Sequence, residues 1–102
     1  MEIKYKKNFD NLTVYFNGEL DEHSASSARN ILDKLINDNC SVKGVEFDLS
    51  DVSFMDSTGV GLLIGRYKKL KQYNIPSYIS GASISAEKVL TLSGIYGIMP
   101  KK

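Results

Sequence analysis

The chain is short of the residues that most soluble chemistry needs. It has a single cysteine, Cys40, so no internal disulfide can close and no cysteine-based zinc site can form. It has a single histidine, His23, and nothing in the sequence marks it as a catalytic base. Charge of one sign is also missing. Thirteen Lys and Arg stand against twelve Asp and Glu, and a net charge of +1 gives no bulk field for gripping nucleic acid or an anionic membrane. Nowhere do eighteen apolar residues run together, and the charged start Met1–Lys7 is not followed by the apolar core of a secretory signal, which points to a cytoplasmic protein. The glycosylation-like triplet Asn11-Leu12-Thr13 then has no use.

What is present is ordinary globular material. The 102 residues are 42 % hydrophobic and 25 % charged, enough for one domain with a modest core. Ile3 and Tyr5 fit one face of a first strand, and Leu12, Val14 and Phe16 alternate with Thr13, Tyr15 and Asn17 in a second. Together they predict a hairpin about Asp10-Asn11, its second strand ending at Gly18. From Ala25 the apolar residues Ala25, Ala28, Leu32, Leu35 and Ile36 recur at helical spacing, with Asp21 or Ser24 as the cap and Asn37–Asn39 as the end. Val42, Val45, Phe47 and Leu49 predict a central strand, with Asp48 and Asp51 towards its C-terminal end.

Val60, Leu63, Ile64, Tyr67 and Leu70 give the strongest helical stripe, and Lys68, Lys69 and Lys71 complement the negative end of its dipole. Pro76 breaks it. Ser77–Ser80 reads as a short strand, Ser83 as a cap, Ala86, Val89 and Leu90 as a third helix closed by Gly94, and Ile95–Met99 as a last strand. Helices alternating with strands after a hairpin call for right-handed parallel crossovers. The expected fold is therefore α/β, a mixed, mostly parallel sheet with helices packed against it. Asp21 and Asp56-Ser57 fall at helix entries after strands, where open α/β sheets place their sites.

The stretch Asp56-Ser57-Thr58-Gly59-Val60-Gly61 admits four kinds of chemistry. A phosphate-cradling loop lacks the Lys-Ser/Thr of a P-loop, and Ile64 stands where the last glycine of a dinucleotide fingerprint belongs. An aspartic protease needs Asp followed by Thr-Gly or Ser-Gly and a second carboxylate, and here two residues separate Asp56 from Gly59. A nucleophilic serine lacks both the preceding glycine of the nucleophile elbow and a marked base. A recognition surface with a modifiable hydroxyl meets no such objection. Ser57 at the start of a helix is accessible, and Gly61 and Gly65 leave a side-chain-free strip. Each glycine costs about 1 kcal/mol relative to Ala inside a helix, so either a partner backbone approaches there or the helix packs closely on the sheet.

Gly18-Glu19-Leu20-Asp21, Phe54-Met55-Asp56-Ser57-Thr58-Gly59-Val60-Gly61, Gly65-Arg66-Tyr67-Lys68 and Leu92-Ser93-Gly94-Ile95 follow one another at a spacing that resembles the STAS-domain anti-sigma factor antagonists. The resemblance is especially close to the antagonist type of the sporulation sigma-factor switch. It implies a single STAS domain, monomeric and without enzyme activity or cofactor. Such a domain binds an anti-sigma factor that is itself a GHKL-type serine kinase, and thereby releases a sigma factor. The serine after the motif aspartate is phosphorylated by that kinase, which ends binding, and a PP2C-type phosphatase restores it. Here that serine is Ser57. Asp21, Asp56, Thr58 and Gly59 match motif positions, and the exposed side of the following helix, including Gly61 and Arg66, resembles the docking surface. The alternative readings are a nucleotide or small-ligand sensor that uses the same helix N-terminus, and a subunit of a larger stress-signalling assembly. Many members continue into a further C-terminal helix, whereas this sequence stops at Pro100-Lys101-Lys102.

Overall fold

The computed structural model describes all 102 residues. Strands β1 (Glu2–Asn8) and β2 (Asn11–Leu20) form the opening hairpin, and α1 (Glu22–Asp38) leads to β3 (Gly44–Met55). Helix α2 (Ser57–Lys71), strand β4 (Ser77–Ser80) and helix α3 (Ile84–Ser93) complete the alternation. The sheet order is β1-β2-β3-β4. The β1/β2 pair is antiparallel, whereas β2/β3 and β3/β4 are parallel. This is the expected mixed, mostly parallel sheet, with β3 in its interior. No helix is long and apolar enough to cross a membrane.

Register explains how the layers form. Val14, Phe47 and Ile79 lie side by side across β2, β3 and β4, as do Leu12, Val45 and Ser77, and all six are buried. Their neighbours Thr13, Glu46 and Tyr78 alternate to the other face and are half-buried. Apolar residues at period two thus collect on one face, and the helix stripes Ala28/Leu32/Leu35/Ile36 and Val60/Leu63/Leu70 close over that face in one continuous core.

Of the two candidate caps of α1, Asp21 is the one used, and Ser24 sits inside the first turn. Three expectations change. Strand β2 runs beyond Gly18 to Leu20, because the parallel partner β3 supplies hydrogen-bonding positions as far as Met55. Strand β3 extends to Met55, so Asp48 lies in its middle rather than near its end. The segment Ile95–Met99 is not a strand. Gly94 turns left-handed at φ 77°, Ile95–Gly97 forms a 3-10 turn, and the Met99 N–H donates to the Ile95 carbonyl at 2.8 Å. Ile95 and Met99, four apart, are thereby both buried. The strand-like contact falls instead on the next residues: the Ile79 N–H donates to Pro100 O at 3.0 Å, and the Lys102 N–H donates to Ile79 O at 2.8 Å.

Candidate functional site

Parallel pairing of Leu20 with Met55 ends β2 and β3 side by side, so Asp21 and Asp56 follow on one edge of the sheet. The Asp56 N–H donates to Leu20 O at 3.4 Å, tying the two junctions together. Both aspartates are helix caps. Asp21 Oδ1 accepts from the His23 and Ser24 N–H groups at 3.0 and 3.1 Å. Ser24 Oγ accepts from the Asp21 N–H at 3.1 Å and donates to Glu19 O at 2.8 Å, which completes a reciprocal capping box. Asp56 Oδ1 accepts from Thr58 N–H at 2.9 Å and from Gly59 N–H at 3.3 Å. The first-turn donors of α2 already hold a carboxylate, so a free anion arriving there would compete with Asp56.

Burial alone would raise the Asp21 carboxyl, but donation from the Ser24 and His23 N–H groups, the nearby His23 and the Ser24 hydroxyl together hold it below its ordinary 3.8. The sign of the consequence follows. Ionisation is easier in the folded chain, so the stability contributed is complete above 3.8 and is lost as pH falls through the lower folded value. Asparagine caps about as well without titrating, so Asp21→Asn is expected to flatten the acid limb of stability. Thermal midpoints measured from about pH 6 down to about pH 2 should fall more steeply for the unsubstituted chain, and equal slopes would show that the Asp21 charge contributes nothing.

Ser57 is the first residue of α2 and is exposed, as is Thr58, and the Ser57 hydroxyl takes no part in the cap. Gly59 is buried: a Cβ there would lie 2.6 Å from Leu20 O, 3.0 Å from Leu20 Cγ and 3.1 Å from Met55 Cγ. The close approach of α2 to the end of β2 is by itself enough to require glycine there. Gly61 and Gly65 differ. A Cβ at either would meet nothing within 4 Å, so close packing on the sheet is not the reason for them.

Arg66 corrects the expectation of an exposed docking residue. It is only 9 % exposed, and its Nε lies 3.1 Å from Asp33 Oδ1 on α1, with Lys69 Nζ at 3.9 Å from the same oxygen. Burial pulls the Arg66 guanidinium down, Asp33 opposes this, and the neighbouring Arg29 adds to it. The spacing Leu62, Arg66, Leu70, all buried, carries the signal that would have placed it inward. Because removing one partner strands a buried charge, Asp33→Ala is expected to lose about 2 kcal/mol, whereas Arg66→Met, which keeps the stem packing, should change stability by less than about 1 kcal/mol. Urea unfolding of both variants distinguishes the two effects.

One site-edge residue escapes sequence reasoning. Alternation from Val52 would bury Phe54, yet Phe54 is 50 % exposed and Met55 is buried. A register shift pairs Gly18 with Val52 and Glu19 with Phe54, leaving Ser53 as an extra residue that reverses the parity. Phe54 is thereby turned outward two residues before Asp56. The concavity on this edge, about 550 Å³, opens beside the start of α1, where Glu19, Asp21, His23 and Ser24 line it. Its lining is polar, with Met1 as the one hydrophobic residue.

An exposed serine at one of two adjoining capped helix entries, on the edge of a mixed four-stranded sheet, marks a small α/β domain. Residues 2–101 match the STAS domain family, and the chain belongs to it. An anti-sigma F factor antagonist of Paenibacillus polymyxa is 29 % identical over 98 % of this chain and 85 % of its own length. An anti-sigma-B factor antagonist of Staphylococcus aureus is 31 % identical over 84 % of this chain and 78 % of its own length. Among solved structures, the anti-sigma factor antagonist SpoIIAA in its unphosphorylated form aligns at a TM-score of 0.81 and 25 % identity, covering 99 % of this chain and 88 % of that one. The Bacillus cell fate determinant SpoIIAA in the phosphorylated form aligns at 0.72, with 25 % identity and coverage of 99 % and 91 %.

Proposed function

We propose that this chain is an anti-sigma factor antagonist whose binding is switched off by phosphorylation of Ser57. The observation that carries the reading is the exposed Ser57 at the first position of α2, its hydroxyl uncommitted and its cap supplied by Asp56. Membership of the STAS family and relatives named as anti-sigma factor antagonists support it. So does the existence of SpoIIAA in both unphosphorylated and phosphorylated forms.

The partner is an anti-sigma factor that is a GHKL-type serine kinase, and a PP2C-type phosphatase reverses the modification. The domain is a substrate, not an enzyme, and acts as a cytoplasmic monomer in a switch of the sporulation type. Docking uses the α2 surface that begins at Asp56, Ser57 and Thr58 and continues along Gly61 and Gly65, with Asp21 on the neighbouring helix entry. Gly59 and Arg66 serve it from within: Gly59 lets α2 seat against Leu20, and Arg66 fixes α2 to α1 through Asp33. A phosphoserine adds about −1.5 to −2 of charge, taking the formal total from +1 to roughly −1 beside the Asp56 carboxylate. Incubation with the cognate kinase and ATP, followed by mass mapping of peptides, should place a single phosphate on Ser57. Phosphate on another residue, or none, overturns the reading.

A further inference from the structure

The sheet has a second surface whose features are those of a peptide-binding edge. Strand β1 lies at the end of the sheet order, so the backbone groups on its outer side have no strand partner. Register places Ile3 beside Phe16 and Tyr5 beside Val14, on the face that the helices cover. The helix layer stops at α1, however, and leaves Tyr5 59 % exposed. Together with Ile31 and Leu35 of α1, Ile3 and Tyr5 form the apolar part of a groove of about 360 Å³, whose rim carries Lys34, Asp38 and Asn39. Ile31 is itself 45 % exposed.

Charge identifies the occupant. Strand β1 carries Lys4, Lys6 and Lys7 against one acidic residue, Glu2; all four are exposed, and none of the three lysines joins an ion pair. Asp38 on the groove rim is already held by Lys34 at 3.0 Å. Such lysines discourage self-association: two copies of β1 paired antiparallel about Tyr5 would set each Lys4 opposite the other's Lys6. The same lysines attract a strand of opposite charge. Alternate side chains of an added strand point to opposite faces, so its apolar residues would enter the Ile3/Tyr5/Ile31/Leu35 groove while its acidic residues faced Lys4 and Lys6.

We infer that the β1 edge is a docking site for an extended acidic peptide segment with apolar residues at alternate positions, bound by strand addition. The groove lies on the flank of α1 away from α2, so the site works independently of Ser57.

The test uses the full chain and a fluorescein-labelled, end-capped octapeptide of alternating Glu and Val, followed by anisotropy and by amide chemical-shift mapping. Saturable binding is expected, with shifts confined to residues 2–8 and the Ile31/Leu35 turn of α1. Binding should weaken at least tenfold in the Lys4→Glu/Lys6→Glu variant, stay unchanged in Ser57→Ala, and be absent for an alternating Lys and Val peptide. Both lysines are exposed, and a thermal melt of the double variant confirms that its fold is intact. No saturation at millimolar peptide, shifts on α2 instead, or indifference to the charge reversal overturns the inference. So does a concentration-dependent dimer whose sedimentation depends on Lys4 and Lys6, since the occupant would then be a second copy.

Discussion

Gly59→Ala is expected to destabilise the domain by about 2–3 kcal/mol, whereas Gly61→Ala, two residues along the same helix, should stabilise it by about 1 kcal/mol. Helix propensity favours alanine equally at both positions, so the difference in sign reports tertiary contact alone. At Gly59 the new Cβ would stand 2.6 Å from Leu20 O, a backbone atom that also accepts from the Asp56 N–H and cannot retreat without loosening the junction. Overpacking against backbone outweighs the propensity gain. At Gly61 the Cβ meets nothing within 4 Å, and only the gain remains. For a domain of this size the thermal midpoint should fall by roughly 10–20 °C in the first variant and rise by about 4–8 °C in the second. Circular dichroism melts read both. Gly61→Ala also tests docking: a stabler chain that binds its anti-sigma factor more weakly would locate the partner backbone over the glycine strip.

Phosphorylation of Ser57 should lower affinity for the anti-sigma factor about a hundredfold, and Ser57→Asp, with a single charge, about tenfold. Two or three kcal/mol of repulsion and desolvation in a closely packed interface suffice, since each 1.4 kcal/mol is a factor of about ten. Stability should hardly move. Ser57 is exposed and its hydroxyl is not part of the cap, while the added charge sits at the positive end of the α2 dipole. Ser57→Ala should bind as the unmodified chain does and resist the kinase. Titration calorimetry of the three forms, paired with their melts, separates loss of binding from loss of fold. A phosphorylated chain that binds unchanged would leave the switch without a mechanism.

The two predictions depend on different kinds of information. The strand-to-helix junction at Asp56-Ser57 and the choice of Asp21 or Ser24 as the α1 cap are legible because these signals are local: a short polar side chain followed by a helical stripe satisfies orphan N–H groups two or three residues away. The alternation in β2 and the stripe from Val60 to Leu70 were legible for the same reason, each being a period written into consecutive residues. These features fixed the α/β class, the order of elements as far as α3 and the sheet edge that carries Asp21, Asp56 and Ser57.

Tertiary structure decided the rest. Whether a glycine is open or crowded depends on a strand thirty-nine positions earlier for Gly59 and on nothing at all for Gly61, and no local pattern distinguishes them. The extra residue Ser53 turns Phe54 outward because of a register with β2 that exists only once the strands pair. Arg66 shares its buried helix face with Leu62 and Leu70, but the Asp33 carboxylate that offsets part of its desolvation comes from another helix. Ile95–Met99 has strand-like composition, yet the left-handed Gly94 and the hydrogen bond from Met99 to Ile95 make it a turn, and Pro100–Lys102 take the place beside β4. Sequence determined that a helix opens at Ser57, because the strand-to-helix switch is written into consecutive residues; pairing between distant strands and helices determined which of its neighbours are exposed and which are buried.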